Sequence, residues 1–219
     1  MLIKVNDINI NYEIYGQGSP IILLHGNKET HEIFDKLIEK LQINHTVYAL
    51  DSRCHGKSDN PKDISYNLMA KDVIEFIKAL KIPKPTLYGF SDGGIVGLLI
   101  AIKEPKLLSK LIISGAQLNP NGAHLCNVIF DKILYFFTKN KLVGLMVKEP
   151  NITLEDLHKI SIPVHVLAGE KDTIRLNHTK LIASNIKDST LEIIKHENHE
   201  SYIIHSDKIY NIIKKYLEE

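Results

Sequence analysis

The sequence predicts an α/β fold: a mostly parallel, eight-stranded sheet with helices on both faces. Three observations carry this. Short, continuous apolar runs recur along the chain, as strands buried on both faces require. Stretches of helical period lie between them, and the alternation of the two implies βαβ units. The N-terminal stretch stands apart. Across residues 2–15 apolar and polar residues alternate loosely, with Ile8, Ile10, Tyr12 and Ile14 on one side, and the run ends at Gly16-Gln17-Gly18-Ser19-Pro20. That is the pattern of an antiparallel hairpin at a sheet edge. Residues 21–24, 47–50, 86–89, 111–114, 164–167 and 191–194 supply six further strands, and residues 32–41, 68–80, 93–103, 181–186 and 206–217 read as helices. Between the sixth and seventh strands over forty residues break the alternation, with Leu125, Val128, Ile129, Ile133, Phe136 and Phe137 at helical spacing. This insertion, about 119–152, is either extra core packing or a small helical lid over an active site.

The composition, 44% hydrophobic and 24% charged over 219 residues, excludes a disordered or fibrous chain. With no linker or repeat in it, the chain is expected to form a single domain over 1–219. A formal net charge of +1 provides no global field for nucleic acid or an anionic membrane, so the expected partner is a small molecule. Two cysteines, Cys54 and Cys126, make no disulfide framework. Lys4 and Asp7 interrupt any N-terminal signal region, and no apolar run is long enough to span a bilayer. The expected location is cytoplasmic, as a monomer or homodimer.

Chemistry is concentrated in Gly89-Phe90-Ser91-Asp92-Gly93, a G-x-S-x-G pentapeptide that follows an apolar strand and precedes an apolar helix. A serine at such a sharp turn projects its hydroxyl above the sheet, and the following helix start supplies N–H groups for a developing anion. A nucleophilic serine needs a base, and the base needs an orienting acid. The seventh strand runs into Gly169-Glu170-Lys171-Asp172, which makes Asp172 the acid, with Glu170 as the alternative. The eighth runs into Lys195-His196-Glu197-Asn198-His199, which makes His199 the base, with His196 as the alternative. The two histidines are three apart, not the four that a helical zinc pair needs, so no metal is expected. Gly56-Lys57-Ser58 lacks the earlier glycine of a phosphate-binding loop. The oxyanion donors are expected to be the backbone N–H groups of Asp92 and of Asn27, the latter in the His25-Gly26-Asn27 loop after the third strand. Because Asn27 would act through its main chain, its side chain is expected to be dispensable.

Taken together, Leu24-His25-Gly26, Asp51-Ser52-Arg53-Cys54-His55-Gly56-Lys57-Ser58, the Gly89–Gly93 turn, the 169–172 loop and His199 resemble the α/β-hydrolase family over essentially the whole chain. The second stretch is similar to the family's D-x-R-G-x-G-x-S loop, with Cys54 where glycine is usual. The resemblance implies that Arg53 and Ser58 are structural. A serine at the elbow disfavours the epoxide hydrolase and haloalkane dehalogenase branches, which use aspartate. It implies a cofactor-free hydrolase of small carboxylic esters or related acyl substrates. Lactonase, thioesterase, carbon–carbon bond hydrolase, aminopeptidase-like amidase and perhydrolase remain open, as does a non-catalytic small-molecule receptor or interaction module on the same fold. Ile129, Ile133, Phe136 and Phe137 are expected to line an apolar pocket, and the short insertion predicts a shallow one.

Overall fold

The computed structural model describes residues 1–218. Eight strands form one sheet: β1 (Leu2–Val5), β2 (Ile8–Tyr15), β3 (Ser19–Leu24), β4 (His45–Leu50), β5 (Thr86–Phe90), β6 (Lys110–Ser114), β7 (Val164–Lys171) and β8 (Ser189–Asn198). Their order is β1-β2-β4-β3-β5-β6-β7-β8. β1 and β2 pair antiparallel and β2 meets β4 antiparallel; every pairing from β4 to β8 is parallel. The alternating N-terminal stretch is therefore the hairpin edge, and the continuous apolar runs are the buried parallel strands.

Successive residues of those strands feed two cores. Ile22, Leu24, Leu87, Leu111, Ile113, Val164 and Val166 face α2 (Tyr66–Ala79), α3 (Asp92–Lys103) and α7 (Leu176–Ser184). Ile21, Leu23, Val47, Tyr88, Ile112 and Leu167 face α1 (Asp35–Leu41) and α8 (Lys208–Glu218). Ser65 caps α2 by accepting from Leu68 N–H, which holds the helix start where the sequence pattern begins two residues late. α7 begins at Leu176, five residues before the apolar pattern, because its first turn carries polar Asn177 and His178.

The insertion after β6 contains α4 (Leu125–Thr138), α5 (Lys141–Lys148) and the short α6 (Leu154–Leu157). α5 is capped by Asn140, whose side chain accepts from Leu142 and Val143 N–H. α4 rests on α5 with the Tyr135 ring over Gly144, where an added Cβ would lie 2.6 Å from the ring. Tyr66 N–H donates to Glu149 (2.9 Å) and Lys141 to the Pro61 carbonyl (2.6 Å), which fasten α5 to the body. No helix among the described residues is long and apolar enough to cross a membrane.

Candidate active site

Strand order reverses between β3 and β5, and at such a switch point the carboxyl ends of parallel strands leave a crevice. The loops after β3, β5, β6, β7 and β8 bring His25–Asn27, Ser91, Gly115, Asp172 and His199 to this edge. Ser91 adopts φ 51° and ψ −112°, a strained backbone for a residue with a side chain. The strain is held by its neighbours: Ser91 N–H donates to Ser114 O (2.8 Å) and Gly93 N–H to His25 O (3.1 Å). The flanking glycines are required by close approach, since a Cβ on Gly89 would lie 2.3 Å from Gly93 O and one on Gly93 2.1 Å from Leu24 O.

His199 Nε2 lies 3.1 Å from Ser91 Oγ, and His199 Nδ1 lies 2.6 Å from Asp172 Oδ1. The same carboxyl oxygen accepts Ile174 N–H at 2.8 Å. Asn198 fixes the loop that carries the histidine, its side-chain oxygen accepting from Glu200 and Ser201 N–H (3.0 and 2.9 Å). The alternatives lie elsewhere: Glu170 accepts His196 N–H (2.9 Å) on the exposed end of β8, and His196 itself points to solvent. Gly115 was not singled out by the sequence, yet a Cβ there would sit 2.6 Å from His199 Cε1. Its φ of +64° comes from the turn that ends β6, and only its packing against His199 gives it meaning.

The N–H groups of Asn27 and Asp92 donate to no protein acceptor among the described residues, which leaves them free for an anion. His25 sets the loop that bears the first of them. Its Nδ1 lies 2.7 Å from Gly26 O and its Nε2 accepts Ser52 N–H at 3.0 Å, so the ring is neutral with its proton on Nδ1. Complete burial, with His55 nearby, brings its pKa down to about 4. The Asn27 side chain, expected to be idle, is engaged in this geometry. It donates to Asp92 (2.9 Å) and to Leu142 O on α5 (3.3 Å), and Tyr66 donates to the other Asp92 oxygen at 2.6 Å. Burial raises the Asp92 pKa against the opposing pull of these two donors.

Below the crevice, Asp51 accepts from His31 N–H (3.0 Å), His31 Nδ1 (2.7 Å), Asn11 (2.9 Å) and Lys57 N–H (2.9 Å). Burial pushes its carboxyl up, but these donors outweigh that and hold it well below the usual range. Arg53 forms a buried pair with Asp72 of α2 (2.5 and 2.7 Å), and Ser58 bonds Asp51 O (2.6 Å) and Asn11 N–H (2.8 Å). Both are structural, and Cys54 takes φ 66°, the left-handed conformation that suits the glycine usual there.

A cavity of about 360 Å³ opens over Ser91 and His199, lined on the insertion side by Val128, Phe130, Asp131, Lys132, Met146 and Val147. Ile129, Ile133, Phe136 and Phe137 do not line it. They lie on the opposite side of α4 and are between 48% and 77% exposed. The helical period located the stripe but not its direction: an apolar stripe normally faces inward, whereas here the mixed face looks onto a cavity lined by both polar and apolar side chains. Glu29 also lines the cavity and was missed. It accepts Gly26 N–H (2.8 Å), and burial, opposed by that bond and by nearby His199, pushes its pKa up to about 7. Among the described residues no group of three histidine, cysteine, aspartate or glutamate side chains is placed to hold a metal.

A strained serine at a strand–helix turn on an eight-stranded, mostly parallel sheet defines the α/β-hydrolase class. The model of the alpha/beta hydrolase fold matches residues 19–143, more than half of the chain. The chain belongs to this family, and with it to the hydrolase class of enzymes. The human serine hydrolase BPHL is 28% identical over 253 aligned positions that cover 99% of this chain and 85% of the human protein. Among solved structures, an esterase from Exiguobacterium antarcticum superposes with a TM-score of 0.87 at 22% identity, covering 100% of this chain and 99% of its own. The enol-lactonase from Burkholderia xenovorans LB400 does so with a TM-score of 0.83 at 16% identity, covering both chains completely. At these identities the two structures share the fold.

Proposed function

We propose that the chain hydrolyses small carboxylic esters through an acyl-enzyme on Ser91. His199 Nε2 takes the Ser91 proton as Oγ attacks the substrate carbonyl, while Asp172 keeps the imidazole oriented and stabilises the imidazolium. The oxyanion is held by the N–H groups of Asn27 and Asp92, each contributing roughly 3 kcal/mol to the transition state. His199 then passes its proton to the leaving alcohol, and water, activated by the same histidine, attacks the acyl carbon and regenerates Ser91. The observation that carries this reading is the hydrogen-bond chain Ser91–His199–Asp172, at 3.1 and 2.6 Å. The relatives named serine hydrolase and esterase agree with it. The cavity carries Glu29, Asp92, Asp131 and Glu200 against Lys132 alone, which disfavours anionic acyl groups and suits neutral or cationic ones.

A fluorophosphonate probe tests the proposal directly: covalent labelling of Ser91, abolished by Ser91→Ala, is expected, together with turnover of a soluble short-chain ester. Folded protein that neither labels nor turns over any ester, thioester or lactone would mean that the fold serves as a receptor.

A further inference from the structure

Gln117 stands just past the end of β6 and lines the cavity over Ser91. It is 9% exposed, its Oε1 has no hydrogen-bond partner, and its amide nitrogen bonds no protein group among the described residues. Asn27, the other cavity residue with a buried unpartnered oxygen, commits its amide nitrogen to Asp92 and Leu142 O. Gln117 commits neither atom. A buried amide that the protein leaves unsatisfied costs stability, and beside a reaction centre it calls for a functional reason. The position is also well fixed. Leu118 N–H donates to His178 Nε2 (2.9 Å), Leu118 O accepts Ile152 N–H (2.9 Å), and a Cβ added to Gly122 would lie 3.0 Å from Gln117 Cβ.

Its neighbours define the chemistry it reads. The segment after β6 and the loop after β7 are joined by the Ala123–Ile174 bridge, by His124 N–H donating to Thr173 O (3.0 Å) and by Arg175 N–H donating to Gly122 O (3.0 Å). This seam brings Thr173 to the Gln117 wall of the cavity, and Asn127 joins it from the first turn of α4. The Thr173 hydroxyl and the Asn127 amide nitrogen likewise bond no protein group among the described residues. All three side chains are uncharged, and each both donates and accepts. The carboxylates of the cavity come from other segments: Glu29 from the loop after β3, Glu200 from the loop after β8, and Asp131 from one turn further along α4. An ammonium group would be drawn to those carboxylates, and a substrate carboxylate would be repelled by them and has no proton to donate. A hydroxyl on carbon is neutral, donates and accepts, and so matches the Gln117 wall.

We infer that Gln117 is a specificity-determining residue, selecting esters whose acyl or alcohol part carries a neutral hydroxyl group, with Thr173 and Asn127 beside it. This rests on ester hydrolysis at Ser91 and names the substrate class of that same site. The substrate hydroxyl pairs with the Gln117 amide, whereas a plain alkyl ester leaves that amide facing carbon. One neutral hydrogen bond made inside the site in this way is worth roughly tenfold in kcat/KM.

The test compares kcat/KM within two substrate pairs: ethyl 3-hydroxybutyrate against ethyl butyrate for the acyl side, and 2,3-dihydroxypropyl butyrate against propyl butyrate for the alcohol side. The wild type is expected to prefer the hydroxylated member of one pair, which identifies the side that meets Gln117. Gln117→Met keeps the length of the side chain and removes the amide, and should lower that preference roughly tenfold. Intrinsic differences in ester reactivity cancel when the two proteins are compared. The melting temperature separates this role from a structural one. Removing an amide that bonds nothing in the protein should leave it unchanged or raise it, and a clear fall would overturn the inference by making the amide a structural group. Hydrolysis of the plain esters with less than a twofold preference in either pair, or an equal loss on all four substrates in Gln117→Met, would overturn it while ester hydrolysis at Ser91 stands. Turnover of none of the four by the wild type would overturn both.

Discussion

Replacing Glu29 by glutamine isolates a charge without disturbing a contact, because the amide oxygen can still accept the Gly26 N–H. In the folded protein the carboxyl titrates at about 7, against an ordinary 4.5. Folding therefore takes up a proton between those values. The stability from this group is complete below about pH 4.5 and is lost as pH rises to about 7 and beyond. At 1.36 kcal/mol per pH unit the whole gap is worth roughly 3 kcal/mol, and partial solvent contact brings the part falling between pH 5 and 8 to about 2 kcal/mol. Urea denaturation of both proteins at pH 5, 6, 7 and 8 measures it. The Glu29→Gln protein should gain about 2 kcal/mol on the wild type across that range, most of it below pH 7. His25, which must stay neutral and so costs stability at acid pH, contributes equally to both proteins and cancels in the difference. Parallel stability profiles for the two proteins would refute the reasoning, since they would place the Glu29 carboxyl in water.

His199→Gln should lower kcat by on the order of 10⁴-fold or more and His196→Gln by less than about twofold; steady-state ester hydrolysis reads both. Asp172→Asn should cost roughly 10⁴-fold, and full retention would transfer the role of acid to Glu170. Asn27→Ala removes a donor from the buried Asp92 carboxyl and should cost about 2 kcal/mol in denaturant unfolding. Cys54→Gly relieves a left-handed backbone worth roughly 1 to 2 kcal/mol, offset in part by the entropy of glycine in the unfolded chain. A net gain of up to about 1 kcal/mol is expected by thermal unfolding.

The strands were legible because both-face burial writes them as uninterrupted apolar runs, and the elbow because Gly89 and Gly93 have no room for a Cβ. Asp172 and His199 were legible through chain order at strand ends. Their alternatives could be separated only in space, where Glu170 and His196 turn to solvent with each other. Gly115 and Glu29 left no trace in the sequence, since their importance comes from what packs against them across the crevice. Cys54 was visible as a departure from the family loop, and its positive φ gives that departure a physical content.

The Asn27 side chain and the direction of α4 were illegible for a shared reason. Helical period reports that a helix has two faces, and a loop sequence reports that a backbone N–H is available; neither reports which partner arrives from a distant segment. Here α5 arrives. Its Leu142 carbonyl takes a hydrogen bond from Asn27, whose amide also bonds the Asp92 side chain, itself bonded to Tyr66 at the start of α2. The two residues proposed to donate to the oxyanion are thus joined through their side chains, and the insertion is joined to both. A shift of α5 would move the Asn27 N–H relative to the Asp92 N–H before it touched Ser91 or His199. Weakening the α5 attachment, as by Lys141→Ala, is therefore expected to reduce kcat while leaving fluorophosphonate labelling of Ser91 in place. Loss of labelling in that variant would show instead that α5 supports the nucleophile itself.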